Sequence, residues 1–154
     1  MIESSRLLLR PFTKNDKSDF FKYRSQPEVA KYQSWQPTSL ADVDLFFADL
    51  PSEFDLPSTW FQLGIFLNGD ETLIGDLGVH FTGTQNLQCE LGCTIGPKYQ
   101  NKGYATEAMR MVIYHLFSKY NKHRIFASID PDNVASIKLV EKLKFRKEAH
   151  HIQS

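Results

Sequence analysis

The sequence predicts a mixed α+β fold, a mostly antiparallel sheet flanked by helices. Strand-like runs follow one another over Trp60–Leu67, Leu73–Phe81 and Leu87–Ile95, with turn chemistry between them. A strongly periodic helix comes next and leads into another strand-like run, Arg124 to Ile129. Antiparallel neighbours followed by a strand–helix–strand crossover imply a mixed sheet.

Taken in order, Leu7 to Arg10 reads as a strand closed by Pro11. Asn15 or Asp16 can cap a helix running to about Arg24, with Phe20, Phe21 and Tyr23 as its apolar bulk. Pro27 interrupts, and a helical turn follows around Glu28 to Tyr32. Thr38 or Ser39 can cap a second helix, Ala41 to Leu50, ended by Pro51. Asn68-Gly69-Asp70 turns the chain between two strands, and Thr82 to Asn86 does so again. The long helix carries Ala105, Ala108, Met109, Val112, Ile113, Leu116 and Phe117, the spacing of one buried face. After the Arg124–Ile129 strand, Asn133 caps a last helix, Ala135 to Leu143, with Phe145 beyond it.

Composition bounds the function. At 154 residues the chain is expected to be one domain, 1–154, large enough for a real core. With 42% hydrophobic and 23% charged residues it is an ordinary globular sequence. Lys plus Arg balances Asp plus Glu, which argues against a broad nucleic-acid footprint, although Lys98, Lys102 and Arg110 make a local basic cluster. The start has no apolar signal core, and no run is long enough to span a bilayer, so a cytoplasmic protein without a membrane partner is expected. Cys89 and Cys93 lie on one predicted strand, separated by about 13 Å at strand rise, too far for a disulfide. Without histidines beside them they make a poor zinc site. They read as small strand residues, and no metal is expected.

The stretch richest in chemistry is Gln100-Asn101-Lys102-Gly103-Tyr104-Ala105-Thr106, between a strand and a helix start. Free N–H groups there, backed by the helix dipole, suit a phosphate group, and Gly103 has no side chain to block close approach. The phosphate-binding P-loop and the Rossmann glycine fingerprint are both absent.

That stretch fits Gln/Arg-x-x-Gly-x-Gly/Ala, the pyrophosphate loop of acyl-coenzyme A transferases. Here the chain resembles the GNAT superfamily of N-acetyltransferases. The opening Arg6-Leu7-Leu8-Leu9-Arg10-Pro11 with Asp16 and the Tyr32–Pro37 segment resemble the branch acting on ribosomal-protein N-termini (alanine or serine). So does Asn133 to Phe145. The resemblance implies the GNAT fold, acetyl-CoA as co-substrate, and direct attack of a primary amine on the thioester. The acceptor would be a protein N-terminus or a small-molecule amine.

By that resemblance Gln100, Asn101, Lys102, Gly103, Tyr104, Ala105 and Thr106 would hold the pyrophosphate. The strand edge at Thr94 and Ile95 would pair with the pantetheine amides. Asn133 is open between bonding the pantetheine arm and merely capping its helix. An amine must lose a proton before it attacks, and Glu90 is the candidate base, directly or through a water. It shares a strand face with Gly92 and Thr94. The alternative for Glu90 is an exposed strand glutamate without a role. Ser136 is the candidate donor to the departing thiolate, against a serine bonding its own helix. Tyr32 and Trp35 could wall the amine pocket or pack in the core. His80 reads as a surface or packed histidine on the preceding strand, its register to Glu90 unfixed. His150 and His151 read as tail.

Two departures stand out. Lys144 occupies a position that is often glycine in relatives, at a cost of about 1 kcal/mol if left-handed. The chain also stops at Ser154, before the hairpin whose last strand relatives insert in the sheet, so that C-terminal strand is expected to be missing. Truncation, an unseen tail, or a strand supplied by another chain, as in a homodimer, would each account for it. The competing functional class is a non-catalytic acyl-CoA-binding or interaction domain. A cruder one is ATP binding at the same loop.

Overall fold

The computed structural model describes residues 1–30 and 35–127. Six strands form one sheet in chain order: β1 (Ile2–Glu3), β2 (Leu7–Pro11), β3 (Trp60–Leu67), β4 (Leu73–Thr82), β5 (Gln88–Ile95) and β6 (Arg124–Phe126). Neighbours are antiparallel from β1 through β5, and β6 runs parallel to β5. The helices are α1 (Lys17–Arg24), α2 (Pro27–Ala30), α3 (Leu40–Ala48) and α4 (Tyr104–Lys119). The mixed α+β sheet expected from the sequence is therefore present, with α4 as the crossover. The short β1 was not foreseen, since two residues are too few to show a period.

Alternation along the strands sorts side chains to two faces. Leu7, Leu9, Leu63, Ile65, Leu77, Val79, Phe81, Cys89 and Leu91 make one face, and α4 covers it with Ala108, Met109, Val112 and Leu116. These are the buried positions the helical spacing predicts. Leu8, Phe66 and Leu73 on the other face meet Phe20 and Tyr23 of α1 and Val43 of α3. An aromatic cluster fills this second layer. Phe20 stacks on Phe46 at 5.4 Å, and Trp35 stacks on Phe46 at 4.9 Å.

Asp16 and Ser39 stand at the N-caps of α1 and α3, each one of the two candidates the sequence offers. The Asp16 carboxylate takes the Thr13 amide at 2.7 Å and an Arg10 N–H at 3.1 Å, so it ties the entry of α1 to β2. Ser39 stands at the N-cap of α3, and the Asp42 carboxylate accepts from the Thr38 amide at 2.8 Å.

One polar knot is buried in the second layer. Arg24, at the end of α1, donates to Asp76 of β4 through two nitrogens, at 3.0 and 2.9 Å. The Tyr23 hydroxyl donates to the same carboxylate. Burial and the Asp76 charge hold the Tyr23 hydroxyl well above its usual range. Burial opposes the Arg24 charge, yet Asp76 outweighs it and leaves the guanidinium raised. The knot pins the end of α1, where the chain turns toward Trp35, onto the sheet. Among the described residues no helix is long and apolar enough to cross a membrane.

Candidate active site

The site grows from the β5–α4 junction. β5 ends at Ile95, a 3-10 turn covers Pro97–Tyr99, and α4 begins at Tyr104. The loop between them is set by two left-handed residues, Asn101 at φ 64° and Gly103 at φ 82°. Asparagine tolerates this region, and glycine enters it freely. Gly103 is the N-cap of α4 and no side chain caps that helix. Among the described residues the main-chain amides of Asn101 through Thr106 have no backbone partner, and the first intrahelical bond runs from Glu107 N–H to the Gly103 carbonyl at 3.1 Å. A row of unused donors thus points out of the N-terminus of a 16-residue helix, an arrangement chemically suited to a diphosphate. Lys98, Lys102 and Arg110 are exposed around it.

Arg6 holds this junction in place. Its Nε donates to Glu107 Oε1 at 2.7 Å, and its Nη1 donates to the Lys102 carbonyl at 3.2 Å. Its guanidinium lies over the Tyr104 ring, 4.6 Å from the centroid. Ser4 adds a hydroxyl donor to Glu107. The Arg6 side chain therefore ties the β1–β2 corner to the loop and the first turn of α4.

Beside the loop, the end of β5 is unpaired on one side among the described residues. β6 pairs with β5 through Gln88, Cys89 and Glu90, the last partner of Glu90 being Phe126. Past Glu90, no partner on that side lies among the described residues. The Gly96 amide bonds the Ile74 carbonyl on β4, so by antiparallel alternation Thr94 also turns its main chain toward β4. Leu91, Cys93 and Ile95 are left to face the opposite side. Gln100 Nε2 donates to the Ile95 carbonyl at 3.0 Å, which places that predicted loop residue as a brace between loop and strand. Thr94 itself is buried, on the side-chain face of Glu90.

That face carries the titratable groups. Glu90, Gly92 and Thr94 alternate along β5, opposite His80, Gly78 and Asp76 of β4. Gly92 is exposed, and a Cβ built on it would meet nothing within 4 Å among the described residues. His80 is the direct register partner of Glu90, with Nδ1 3.3 Å from Oε1. Trp60 of β3 is the register partner of His80 and stacks on its ring at 4.7 Å, with an 11° angle between planes. Register decides this grouping, and register was the quantity the sequence left open.

Thr94 and Ile95 end β5 where the chain turns into the 100–106 loop, and Glu90 stands farther back on the same strand. Trp35 lies half-buried in the aromatic layer under α3. Tyr32, Asn133 and Ser136 fall outside the described residues. Both cysteines are free. Burial pushes the Cys89 thiol up to about 11 and raises Cys93 further still. A linear reading assigned no role to Arg6 or Trp60 and left the register of His80 to Glu90 unfixed; strand pairing sets Trp60 and His80 in line with Glu90, and Arg6 reaches the loop through its side chain.

Known proteins place this architecture. The profile of the acetyltransferase (GNAT) domain family matches residues 6–146. An N-acetyltransferase of Bacillus licheniformis called p20, itself uncharacterized, is 30% identical over 145 residues, spanning 94% of this chain and 82% of its own. The [ribosomal protein uS5]-alanine N-acetyltransferase of Escherichia coli is 31% identical over 100 residues, 64% of this chain and 52% of its own. A crystal structure of a GNAT-family acetyltransferase from Bacillus anthracis superposes with a TM-score of 0.85 at 29% identity, covering 96% of this chain and 84% of that one. The six-strand sheet with its crossover helix is the GNAT fold, and the family takes its acyl group from acetyl-CoA. With its fold and nearly its whole length matched, the chain belongs to the GNAT acetyltransferase family and is an N-acetyltransferase.

Proposed function

We propose that the 154 residues form one domain that moves an acetyl group from acetyl-CoA to a primary amine within a ternary complex. The observation that carries this is the run of amides from Asn101 to Thr106 that have no backbone partner among the described residues, following a strand, β5, whose end is likewise unpaired on one side among them. Amides of that kind grip a diphosphate, and an unpaired strand edge offers main-chain groups to a pantetheine arm. Lys102 and Lys98 add positive charge, and Gln100 keeps the loop against the strand.

The arm would then lie beside Glu90 and Gly92. Glu90, directly or through a water, takes a proton from the bound ammonium group. The neutral nitrogen attacks the thioester carbon, the carbon–sulfur bond breaks, and the second nitrogen proton passes to the departing sulfur. Ser136 is the proposed donor to that sulfur, and Asn133 the proposed partner of the arm, both on the strength of the family motif. Direct attack is favoured over an acyl-cysteine, because burial disfavours the thiolate form of both cysteines. A protein N-terminus is the first acceptor to test, supported by the alanine N-acetyltransferase relative. A small-molecule amine is the second. Trp35 and Tyr32 are proposed to border the acceptor pocket.

The experiment is release of free thiol from acetyl-CoA with a panel of alanine- and serine-initiated peptides and small amines. Release with at least one amine is expected, reduced about tenfold or more in Glu90→Gln. CoA binding without release for any amine would instead assign the chain to acyl-CoA binding alone.

A further inference from the structure

Resting on the transferase reading above but taking the place of Glu90 as the group that meets the amine, we infer that His80 accepts the proton of the acceptor amine, with Glu90 and Trp60 holding it from either side. The argument is geometric. Three register partners on three adjacent strands, Trp60, His80 and Glu90, line up across the sheet. The Glu90 carboxylate lies 3.3 Å from Nδ1 of His80. A carboxylate accepts there only if Nδ1 carries a proton, so the contact selects the tautomer whose distal Nε2 has the free lone pair. Among the described residues Nε2 has no hydrogen-bond partner, and the side chain keeps 28% of its exposure.

Trp60 fixes the other degree of freedom. Its indole lies parallel to the imidazole at 4.7 Å and stops rotation of the ring out of the plane that meets Glu90. Of the adjacent cross-strand pair on this face, Gly78 is covered by Trp60 and Gln62, while Gly92 leaves open space on the β5 side among the described residues. On the β6 side the same face carries Phe126 and Arg124, the guanidinium lying over the Phe126 ring at 4.8 Å. A neutral imidazole held in this tautomer presents one free ring-nitrogen lone pair, the equipment of a general base.

The step balances. One proton leaves the ammonium for Nε2 and is then lost to water. The nitrogen attacks the carbonyl carbon, the thiolate departs, and the remaining surplus proton on nitrogen goes to sulfur.

Two measurements test the assignment. Nitrogen NMR of the histidine rings needs no acceptor. His80 of the wild type is expected as the Nδ1–H tautomer, and Glu90→Gln or Trp60→Leu is expected to shift it toward a mixture. Turnover with acetyl-CoA and an alanine-initiated peptide or spermidine is the second. His80→Asn keeps a donor near Nδ1 but has nothing at Nε2, and is expected to lose about tenfold or more in kcat with CoA affinity unchanged. His80→Ala is expected to regain activity with added imidazole, and to gain nothing from pyrazole, which has the same shape and far weaker basicity. An Nε2–H tautomer in the wild type, or kcat within about threefold of wild type in both His80 variants, overturns the inference and leaves the transferase reading standing. No thiol release from the wild type with any amine overturns both.

Discussion

Arg6 and Glu107 meet across the molecule, guanidinium Nη2 to carboxylate Oε1 at 2.6 Å, and the pair joins the β1–β2 corner to the first turn of α4. The Arg6 side chain is 44% exposed and that of Glu107 25%, so the pair adds little stability, about 1 kcal/mol at most. Its effect should fall on the loop it frames. In Glu107→Gln we expect the melting temperature to move by only a few degrees, and CoA affinity to fall about three- to tenfold, read by calorimetry. Unchanged affinity would mean that the loop holds its shape without the pair.

Gly103 sits at φ 82°, where any side chain strains the backbone. Gly103→Ala should cost about 1 kcal/mol in chemical denaturation. It should weaken CoA binding as well, because the amides that follow would re-aim as the residue seeks a negative φ. Loss of stability with full CoA affinity would show that the glycine serves the turn alone.

Removing Asp76 strands a buried guanidinium. Asp76→Ala is expected to lower the unfolding free energy by about 3–5 kcal/mol, and Tyr23→Phe by only about 1 kcal/mol, both read from urea titrations. Equal effects from the two would mean that the hydroxyl, and not the ion pair, holds α1 to the sheet.

The raised Cys89 thiol predicts a pH dependence. Its ordinary value of 9.0 moves to about 11 in the folded chain. Below pH 9 folded and unfolded states both keep the proton, so nothing is lost. Between pH 9 and about 11 only the unfolded state releases it, and folding should lose stability through that window, by about 2–3 kcal/mol. Cys89→Ala should flatten this alkaline loss. Thiol-alkylating reagents at neutral pH should leave Cys89 of the native protein unmodified, as mass spectrometry of the digested protein would show.

These predictions lie at sites that differ in how far the linear order exposed them. The strands from Trp60 to Leu67 and Leu73 to Phe81 and the long helix were legible, because period and turn residues act locally. The phosphate-type loop was legible for the same reason, as glycine and a helix start lie within a few residues of each other. Arg6 was not, since its partner Glu107 is distant in sequence and no local pattern links them. Nor was the Trp60–His80–Glu90 alignment, which needs two registers at once. A one-residue slip in either would have turned His80 or Glu90 to the opposite face. The main-chain direction of Thr94 similarly depends on which pairs in the β4–β5 ladder are hydrogen-bonded.

The vacancy around Gly92 bears on how such proteins diversify. A Cβ installed there would crowd no neighbour among the described residues, so on the acceptor placement proposed above the reach and girth of the amine could be retuned by one codon. New acceptor preferences then become accessible by drift at a spot where folding imposes no veto.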